Sequence, residues 1–285
     1  IGREETPNDP VDQTDVSKDG MNVGAVVADI HAQRYAVVDN FLRAVQVESI
    51  RTAFNTEVLI TEMRAIGTAT GRTWRAHNLL AKFVVDPVIL DQHSRTIADG
   101  MIGKYSQINI VTLLHTLPGE TKQTLHQDDG LGQYTTASLL FIKVLIAFDD
   151  FTEQNGATHI APCSHGWAHP VDQQAHSLQI ELQSGRALFW EGGLWHGGGA
   201  NTTTDQERMR LFISHQVNYP RAQTDNCYLC HENRTAITQK LQRLLGYYPF
   251  GSGVEGRDPL DALHDGVVVH PDARLAPHWR GGDGR

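Results

Sequence analysis

The amino-acid sequence predicts a mainly β protein in which a sandwich or barrel is flanked by helices. Short segments of strand-like composition recur through the middle of the chain, separated by Gly, Pro and Asn turn residues, a pattern typical of sandwiches and barrels. The segments before and after them change to the spacing of amphipathic helices. The 285 residues are 40% hydrophobic and 20% charged, which is enough apolar material for a full-sized core. A helix-flanked β-sandwich is therefore the expected fold class.

The segment 24–105 is predicted to form an N-terminal helical layer. Asn40 is expected to cap a helix that carries apolar residues at helical spacing as far as Phe54. Asp86-Pro87 is expected to open a second helix, because proline is favoured in the first helical turn.

The β-core is predicted to occupy 106–219. Its strands are expected to end at turn signals such as Pro118-Gly119 and Asn155-Gly156. The expected strands cover 108–117, 136–147, 158–161, 178–182, 187–190 and 209–217.

Helical spacing returns over 235–245, and Gly246 is expected to end that helix. The sequence thus predicts a single domain over 24–275, in which 220–275 supplies a C-terminal lid and helix. Flexible tails are expected at 1–23 and 276–285, because these segments lack apolar periodicity.

Charge and composition exclude several partners. The net charge of −9 argues against nucleic acid, and the longest apolar run, 137–148, is too short to cross a bilayer. Three cysteines cannot form a disulfide framework, and the N-terminal segment lacks the features of a secretory signal. A cytoplasmic location is expected.

The sequence His126-Gln127-Asp128 follows a predicted strand and turn. In extended backbone, residues i and i+2 project from one face, so His126 and Asp128 can act as adjacent metal ligands. His196, downstream of another apolar run, is the candidate third ligand. Two histidines and one carboxylate make the facial triad of non-haem Fe(II) oxygenases.

Two alternatives to this triad are open in the sequence. His270-Pro271-Asp272 has the same spacing, but its proline would break a strand ladder and no strand follows it to supply a third ligand. The other alternative is that His126 and Asp128 belong to an ordinary surface turn.

Several motifs in order resemble the phytanoyl-CoA dioxygenase superfamily of Fe(II)/2-oxoglutarate-dependent oxygenases. They are QTLHQDD at 123–129, FTEQNGAT at 151–158, SHGW at 164–167, HGGGANTT at 196–203, and Arg210. The likeness extends from about 75 to 248 and is greatest to the fungal natural-product branch, which includes fumitremorgin B endoperoxidase and meroterpenoid and alkaloid oxygenases.

The resemblance implies a double-stranded β-helix, which is a jelly roll of the cupin type, with iron bound by His126, Asp128 and His196. It also implies that 2-oxoglutarate is contacted by Gln123, Thr158, Arg210 and an upstream arginine.

The two arginine positions have competitors. Arg210 suits the distal carboxylate of 2-oxoglutarate because a guanidinium can bind a carboxylate through two hydrogen bonds, and Arg208 is its competitor. Arg75 fits the upstream position best, with Arg72 as the alternative.

Two residues depart from the family pattern. Cys163 and Arg186 stand where the family usually has Gly and Asp. Both are expected to be structural positions, a tight turn and the start of a strand.

A cysteine-containing motif suggests a different kind of site. Cys227-Tyr228-Leu229-Cys230-His231 spells the attachment motif of c-type haem, but covalent haem attachment needs export, and no second cysteine pair completes a zinc site. We favour a loop over the active site that happens to carry two cysteines.

Four tryptophans and one further histidine are candidates for the lining of the active-site pocket. Core packing is favoured for Trp167 and Trp190, and Trp195 is expected to point away from His196. Trp74 and His215 are weaker pocket candidates.

The expected function is that of a 2-oxoglutarate-dependent dioxygenase that uses Fe(II) and O2 to oxidise a hydrophobic small molecule, with release of succinate and CO2. Hydroxylation, desaturation, epoxidation and rearrangement stay open, as does a homodimer. The alternatives are a phytanoyl-CoA-type acyl-CoA hydroxylase, a cupin-like metalloenzyme without cosubstrate, and a catalytically silent jelly-roll binding module.

Overall fold

The computed structural model describes residues 21–54, 64–65, 70–77, 79, 94–103, 106–128, 139–167, 176–218, 220–231, 238–247, 263–264 and 267–268. The proline-initiated helix at Asp86, the His270-Pro271-Asp272 sequence and the C-terminal tail lie outside these ranges, as does most of the N-terminal tail.

Five α-helices lie within the described residues. They are α1 (Val23–Gln33), α2 (Ala44–Phe54), α3 (Ser94–Ile102), α4 (Asn226–Leu229) and α5 (Gln239–Leu244). The stop predicted at Gly246 is confirmed, since this residue follows α5 and has a φ of 83°.

The cap predicted at Asn40 is wrong. α2 begins only at Ala44, and Asn40 lies in a turn with a φ of 50°. The side chain of Gln46 instead accepts a hydrogen bond of 3.0 Å from the backbone N–H of Arg43, at the helix start. Asparagine is common both at helix caps and in left-handed turns, so its presence before the apolar run did not distinguish the two.

The strands form two main antiparallel sheets. The large sheet has the order β1-β8-β5-β10-β4-β3-β2 and the small sheet has the order β7-β6-β9. The bounds are β1 (Tyr35–Val38), β2 (Arg64–Ala65), β3 (Thr73–Ala76), β4 (Gln107–Thr116), β5 (Phe141–Ala147), β6 (Thr158–Ile160), β7 (Leu178–Ile180), β8 (Ala187–Glu191), β9 (His196–Gly198) and β10 (Arg208–Gln216). A separate pair consists of β11 (Leu263–His264) and β12 (Val267–Val268).

The segment predicted as a helical layer, 24–105, is not helical throughout. It supplies β1, which pairs with β8, and β3, which pairs with β4. Both strands are only four residues long, too short for a period-two pattern to emerge, and their pairing partners are distant in sequence. The non-local pairing explains why local spacing failed to predict them.

The large sheet separates the helices from a cavity. On β10, Leu211 and Ile213 point into the main hydrophobic core beside residues of α1, α2 and α3. Arg210 and Phe212, on the opposite face of the same strand, line the cavity. The alternation of side chains along a strand therefore assigns one face to stability and the other to the site.

A β-bulge shapes one end of this sheet. The register between β10 and β4 shifts between Ser214 and His215, because Ser214 pairs with Ile110 and His215 pairs with Ile108. The extra residue, Asn109, binds the segment 220–231, which we call the cover segment. The Asn109 Oδ1 accepts from the Gln223 backbone N–H at 2.6 Å. Bulges commonly lie beside functional sites, where they redirect a side chain.

No helix in the described part of the chain combines the length and the apolar character that crossing a membrane requires.

Candidate metal centre

The backbone of the small sheet brings two distant histidines together. His126 forms an isolated antiparallel bridge with His196, the first residue of β9, through hydrogen bonds of 2.8 and 3.0 Å. The Asp128 N–H donates to the Gly192 carbonyl at 3.1 Å, which fixes the loop that carries the carboxylate. Backbone pairing thus places His126, Asp128 and His196 on one side of the same cleft.

The three side chains converge. The Asp128 carboxylate oxygens lie 3.6 Å from the His126 Nε2 and 3.3 Å from the His196 Nε2. All three candidate ligand atoms lie within 4.8 Å of one another. Ligands that bind one metal at about 2.1 Å in adjacent positions must lie about 3 Å apart. The cluster therefore fits a single divalent ion on one face, with modest contraction.

Both histidine rings are oriented by backbone carbonyls. The Nδ1 of His126 donates to the Thr124 carbonyl at 3.0 Å, and the Nδ1 of His196 donates to the Leu194 carbonyl at 2.8 Å. Since a carbonyl can only accept, the proton lies on Nδ1 in each neutral ring. The Nε2 lone pairs then face Asp128, as metal binding requires.

The charge states favour metal binding. Burial, followed by repulsion from His196, lowers the pKa of His126 and so favours its neutral, ligating form. Burial opposes ionisation of Asp128. The charge and hydrogen bond that His196 supplies when protonated, with the charges of Lys143 and His126, outweigh this effect and hold the pKa of Asp128 well below its usual value.

A cavity of about 270 Å³ adjoins the triad and lies between the two sheets. Its walls combine apolar side chains, such as Leu145, Trp190 and Phe212, with a few polar ones. This composition is typical of a small-molecule site. The Trp190 ring also lies 4.9 Å from that of His196, centroid to centroid, and supports its orientation.

Gln123 and Thr158 both line this cavity. The Gln123 Oε1 accepts from the Gly198 N–H at 2.8 Å, which holds its amide against β9. Thr158, buried on β6, is paired with Gly198. Gln123 and Thr158 therefore both adjoin Gly198 of β9.

Arg210 lines the cavity, whereas Arg208 does not. The Arg210 Nη1 donates to the Thr116 Oγ1 at 2.9 Å, while the Arg208 Nη1 donates to the Gly156 carbonyl and its guanidinium lies 4.8 Å from the Phe151 ring centroid. Burial, followed by repulsion from Arg208 and Arg75, lowers the pKa of Arg210. A bound carboxylate would offset this accumulation of positive charge.

Of the two upstream arginines, Arg75 lines the cavity and Arg72 does not. Arg75 on β3 lines the cavity, and its Nε is buried without a hydrogen-bond partner. Arg72 is exposed and donates to the Pro118 carbonyl at 3.0 Å. Arg75 is thus the upstream arginine that faces the site.

Sequence reasoning missed several cavity residues, among them His77, Gln223 and Lys143. A signal for Lys143 existed, because it is the one charged residue in the apolar run 137–148, and 141–148 are all buried. A lysine that interrupts such a run needs a polar partner or a ligand.

Within the described residues, the two cysteines of the cysteine motif belong to no cluster of three or more potential metal ligands. Cys227 and Cys230 lie on and just after α4, and their thiols are free. Burial, followed by the charge of Asp225, raises the pKa of Cys227, and burial raises that of Cys230 to about 11. Thiols with raised pKa values are poor nucleophiles and poor metal ligands.

The two tryptophans near the triad and His215 differ in whether they line the cavity. Trp195 is buried in a small cluster with Leu125 and Ala161, away from the cavity as expected, whereas Trp190 lines the cavity as well as packing in the core. His215 is not a pocket residue. It lies on the same face of β10 as Leu211 and Ile213, towards the helices, and it is fully buried.

Both departures from the family pattern are structural positions. Cys163 has a φ of 57° and lies in a left-handed turn before the short 3-10 helix Ser164–Gly166. Arg186 precedes β8, and its Nε lies 3.0 Å from the Asp39 Oδ1. Neither residue lines the cavity.

Similar proteins are found by sequence. The family model for phytanoyl-CoA dioxygenase (PhyH) matches residues 30–210. The dioxygenase trt7 of Aspergillus terreus is 32% identical over 168 residues, which are 53% of this chain and 57% of that protein. The dioxygenase FUM3 of Gibberella moniliformis is 38% identical over 114 residues, which are 37% of each chain. The chain spans about half the length of the curated relatives it matches.

Solved structures share the fold. The non-haem α-ketoglutarate-dependent epimerase SnoN from nogalamycin biosynthesis has a TM-score of 0.58 at 16% identity, over 73% of this chain and 86% of that one. HygX from Streptomyces hygroscopicus, solved with nickel and 2-oxoglutarate bound, has a TM-score of 0.58 at 15% identity, over 70% and 88%. The predicted jelly roll with flanking helices is confirmed.

The family match extends over more than half of the chain, and it includes the convergent His126, Asp128 and His196. The chain therefore belongs to the phytanoyl-CoA dioxygenase (PhyH) family.

Proposed function

We propose that the protein is an Fe(II)/2-oxoglutarate-dependent dioxygenase that oxidises a hydrophobic small molecule in natural-product biosynthesis. The convergence of two Nε2 atoms and one carboxylate beside a cavity is the observation that carries this proposal. Membership of the PhyH family and the similarity to fungal dioxygenases support it.

His126, Asp128 and His196 are the proposed ligands of iron. This donor set, with its imidazoles fixed by the carbonyls of Thr124 and Leu194, suits Fe(II) and leaves adjacent coordination positions open. When bound, iron and 2-oxoglutarate supply the oxidising chemistry, in which 2-oxoglutarate and O2 become succinate and CO2 as the substrate is oxidised.

Arg210 is the proposed partner of the distal carboxylate of 2-oxoglutarate. Its buried guanidinium, held by Thr116, presents a fixed pair of donors to an anion. Gln123 and Thr158 can donate hydrogen bonds from the adjoining wall, and Arg75 can add a second positive charge. Together these residues would orient the cosubstrate and exclude water from it.

The apolar part of the cavity is the proposed substrate site. Leu145, Phe212 and Trp190 offer surface for a hydrophobic molecule, and Gln223 of the cover segment reaches the same cavity. By its chemistry an acyl-CoA substrate would instead need several cations for its phosphates. The free state of all three cysteines supports a reducing compartment. A cytoplasmic location, a homodimer and the single domain over 24–275 stay predictions.

The proposal is tested by supplying the protein with Fe(II), ascorbate, 2-oxoglutarate and a panel of hydrophobic metabolites. We expect substrate-dependent release of succinate and a product that has gained one oxygen atom or lost two hydrogens. His126→Ala should reduce succinate to background, since one of three ligands is lost. His115→Ala is the matched control, because His115 faces away from the cavity and contacts Glu207.

Two outcomes would contradict the proposal. A protein that binds metal without forming succinate under any condition would be a silent jelly-roll binding module. Succinate formation that survives His126→Ala would place the metal at another site.

A further inference from the structure

Lys143 is a buried cation in the wall of the cavity. It lies in the middle of β5 with 1% of its surface exposed, and its Nζ donates to the Ser214 Oγ at 2.9 Å. The same Nζ lies 4.9 Å from the Phe141 ring centroid and 5.9 Å from that of Phe212. A lysine is rarely enclosed to this degree without a functional or structural reason.

Lys143 lies far from the arginine proposed to bind 2-oxoglutarate. In the β10–β5 register, Lys143 is opposite Ser214 and Ala147 is opposite Arg210, so the backbone positions of the two residues are four residues apart, about 13 Å along the strands. Arg210 leans further away, because its partner Thr116 lies opposite Arg208. The four C–C bonds of 2-oxoglutarate cannot span more than about 6 Å.

Lys143 is instead close to the metal centre on the other side. Its β8 neighbour in the ladder is Trp190, whose ring contacts that of His196. Lys143 and Asp128 also line the same cavity. The ammonium group thus lies where a substrate beside the metal would present a polar substituent.

The charges of the cavity favour an anionic substituent. Among the described lining residues, Arg75, Arg210 and Lys143 are cations and Asp128 is the carboxylate. The two positive charges of Fe(II) and the two negative charges of 2-oxoglutarate would cancel, so among the described lining residues the three cations outnumber the one carboxylate. The negative charge of Glu120 interacts with Arg208 and Arg210, at the end of the cavity away from Lys143.

We propose that Lys143 recognises a carboxylate carried by the hydrophobic substrate, so that the substrate class is that of hydrophobic carboxylic acids. The inference rests on the proposed function and adds a specificity-determining residue to it. A charge-assisted hydrogen bond between an ammonium and a carboxylate is strengthened inside an enclosed cavity. Leu145, Phe212 and Trp190 would enclose the apolar body of the acid.

The neighbours of Lys143 would hold this arrangement. Ser214 Oγ, its partner, also lies 3.4 Å from the Asn109 Nδ2, and Asn109 in turn donates to the Gln223 Oε1 at 3.2 Å. The chain of contacts ties the cation to the cover segment. The cover segment and the carboxylate of the substrate would therefore meet at one corner of the cavity.

The test measures binding to the full-length protein loaded with Ni(II) and saturating 2-oxoglutarate. The probes are cyclohexanecarboxylate and the uncharged cyclohexanecarboxamide, titrated by calorimetry. We expect the wild type to bind the carboxylate at least about tenfold more tightly than the amide. Lys143→Met should abolish this preference and leave the affinity for 2-oxoglutarate unchanged.

Two variants control the result. Lys143→Gln keeps a donor for Ser214 but removes the charge. This variant should therefore be as stable as the wild type and still show no preference for the carboxylate. Lys122→Met removes an exposed lysine outside the cavity and should leave the preference intact.

The inference is overturned if the wild type binds both probes equally, if the preference survives Lys143→Met, or if Lys143→Met weakens 2-oxoglutarate binding instead. Displacement of 2-oxoglutarate by the carboxylate probe would also contradict it, because the probe would then occupy the metal or Arg210. Failure of the proposed function is distinguishable, since the protein would then fail to bind 2-oxoglutarate in the first titration.

Discussion

Arg208 and Arg210 show how little sequence separates a structural side chain from a candidate ligand-binding one. Both lie on β10, both are almost completely buried and both point to the same side of the sheet. Gly156 and Phe151 contact the guanidinium of Arg208, whereas that of Arg210 borders the cavity. Although both arginines are buried, their contacts indicate a structural role for Arg208 and a candidate ligand-binding role for Arg210.

Arg210→Leu is expected to weaken 2-oxoglutarate binding by roughly 30-fold or more, because a charge-assisted pair contributes about 2–3 kcal/mol. Arg208→Leu should leave this affinity within about twofold and instead lower the free energy of unfolding, since the Gly156 carbonyl loses its donor. Calorimetric titration with 2-oxoglutarate and urea unfolding measure the two effects. An unchanged affinity in Arg210→Leu, with a loss in Arg208→Leu, would reverse the assignment.

His215 is expected to make the fold sensitive to acid. Burial, followed by the charge of Arg95, lowers its pKa to about 3 in the folded state, from 6.5 in the unfolded chain. Below pH 6.5 the unfolded state binds the proton first, so stability is full above that pH and is lost progressively as the pH falls to about 3.

His215→Leu should remove this dependence. Between pH 7 and pH 5 the wild type should lose about 2 kcal/mol more of its free energy of unfolding than the variant does. Urea unfolding at the two pH values measures the difference, with His31→Leu as the exposed control on α1. Equal pH dependence in wild type and His215→Leu would show that another group is responsible.

At the scale of elements, the turn before β6 positions one wall of the cavity. Asn155 fixes it by accepting from the Thr152 N–H at 2.9 Å and donating to the Asp150 carbonyl at 2.8 Å. Gly156 follows with a φ of 88°, and a Cβ there would clash with the carbonyl of Gly199. The turn therefore accepts only glycine at this position, two residues before Thr158.

Gly156→Ala is expected to destabilise the protein by at least about 2 kcal/mol, because it combines a left-handed conformation with a backbone clash. Thermal and urea unfolding measure this loss. Gly166→Ala is the matched control, since a Cβ at Gly166 meets nothing within 4 Å. Similar stabilities for the two variants would contradict the account of the turn.

The long central strands were predictable and some shorter ones were not. β4, β5 and β10 follow from apolar runs bounded by turn residues, and their ends differ from the predicted ones by at most a few residues within the described chain. β9 was missed because Gly197 and Gly198 indicated a turn. Glycine fits there because a Cβ at Gly197 would lie only 3.2 Å from the backbone carbonyl oxygen of Gln123. Close approach of two elements, not local flexibility, explains this glycine.

At the scale of the whole molecule, the fold brings together side chains that sequence spacing could only nominate. His126-x-Asp128 supplied two neighbours, but the choice of His196 as the third candidate depended on a distant strand. The cavity itself could not be predicted because it depends on which strand faces which, and the apolar run around Lys143 indicated only that this lysine needs a polar partner or a ligand. The sequence nominated the candidate ligands and the lining residues Gln123, Thr158, Arg75 and Arg210, but not the lining residues at the other end of the cavity.

The most direct test of the metal site is anaerobic titration of the protein with Fe(II) in the presence of 2-oxoglutarate, followed by visible absorption. We expect a weak charge-transfer band that saturates at one iron per chain, that disappears in Asp128→Ala and that persists in Asp205→Ala, an exposed control. No band in the wild type, or an undiminished band in Asp128→Ala, would contradict the proposal that His126, Asp128 and His196 hold iron for 2-oxoglutarate.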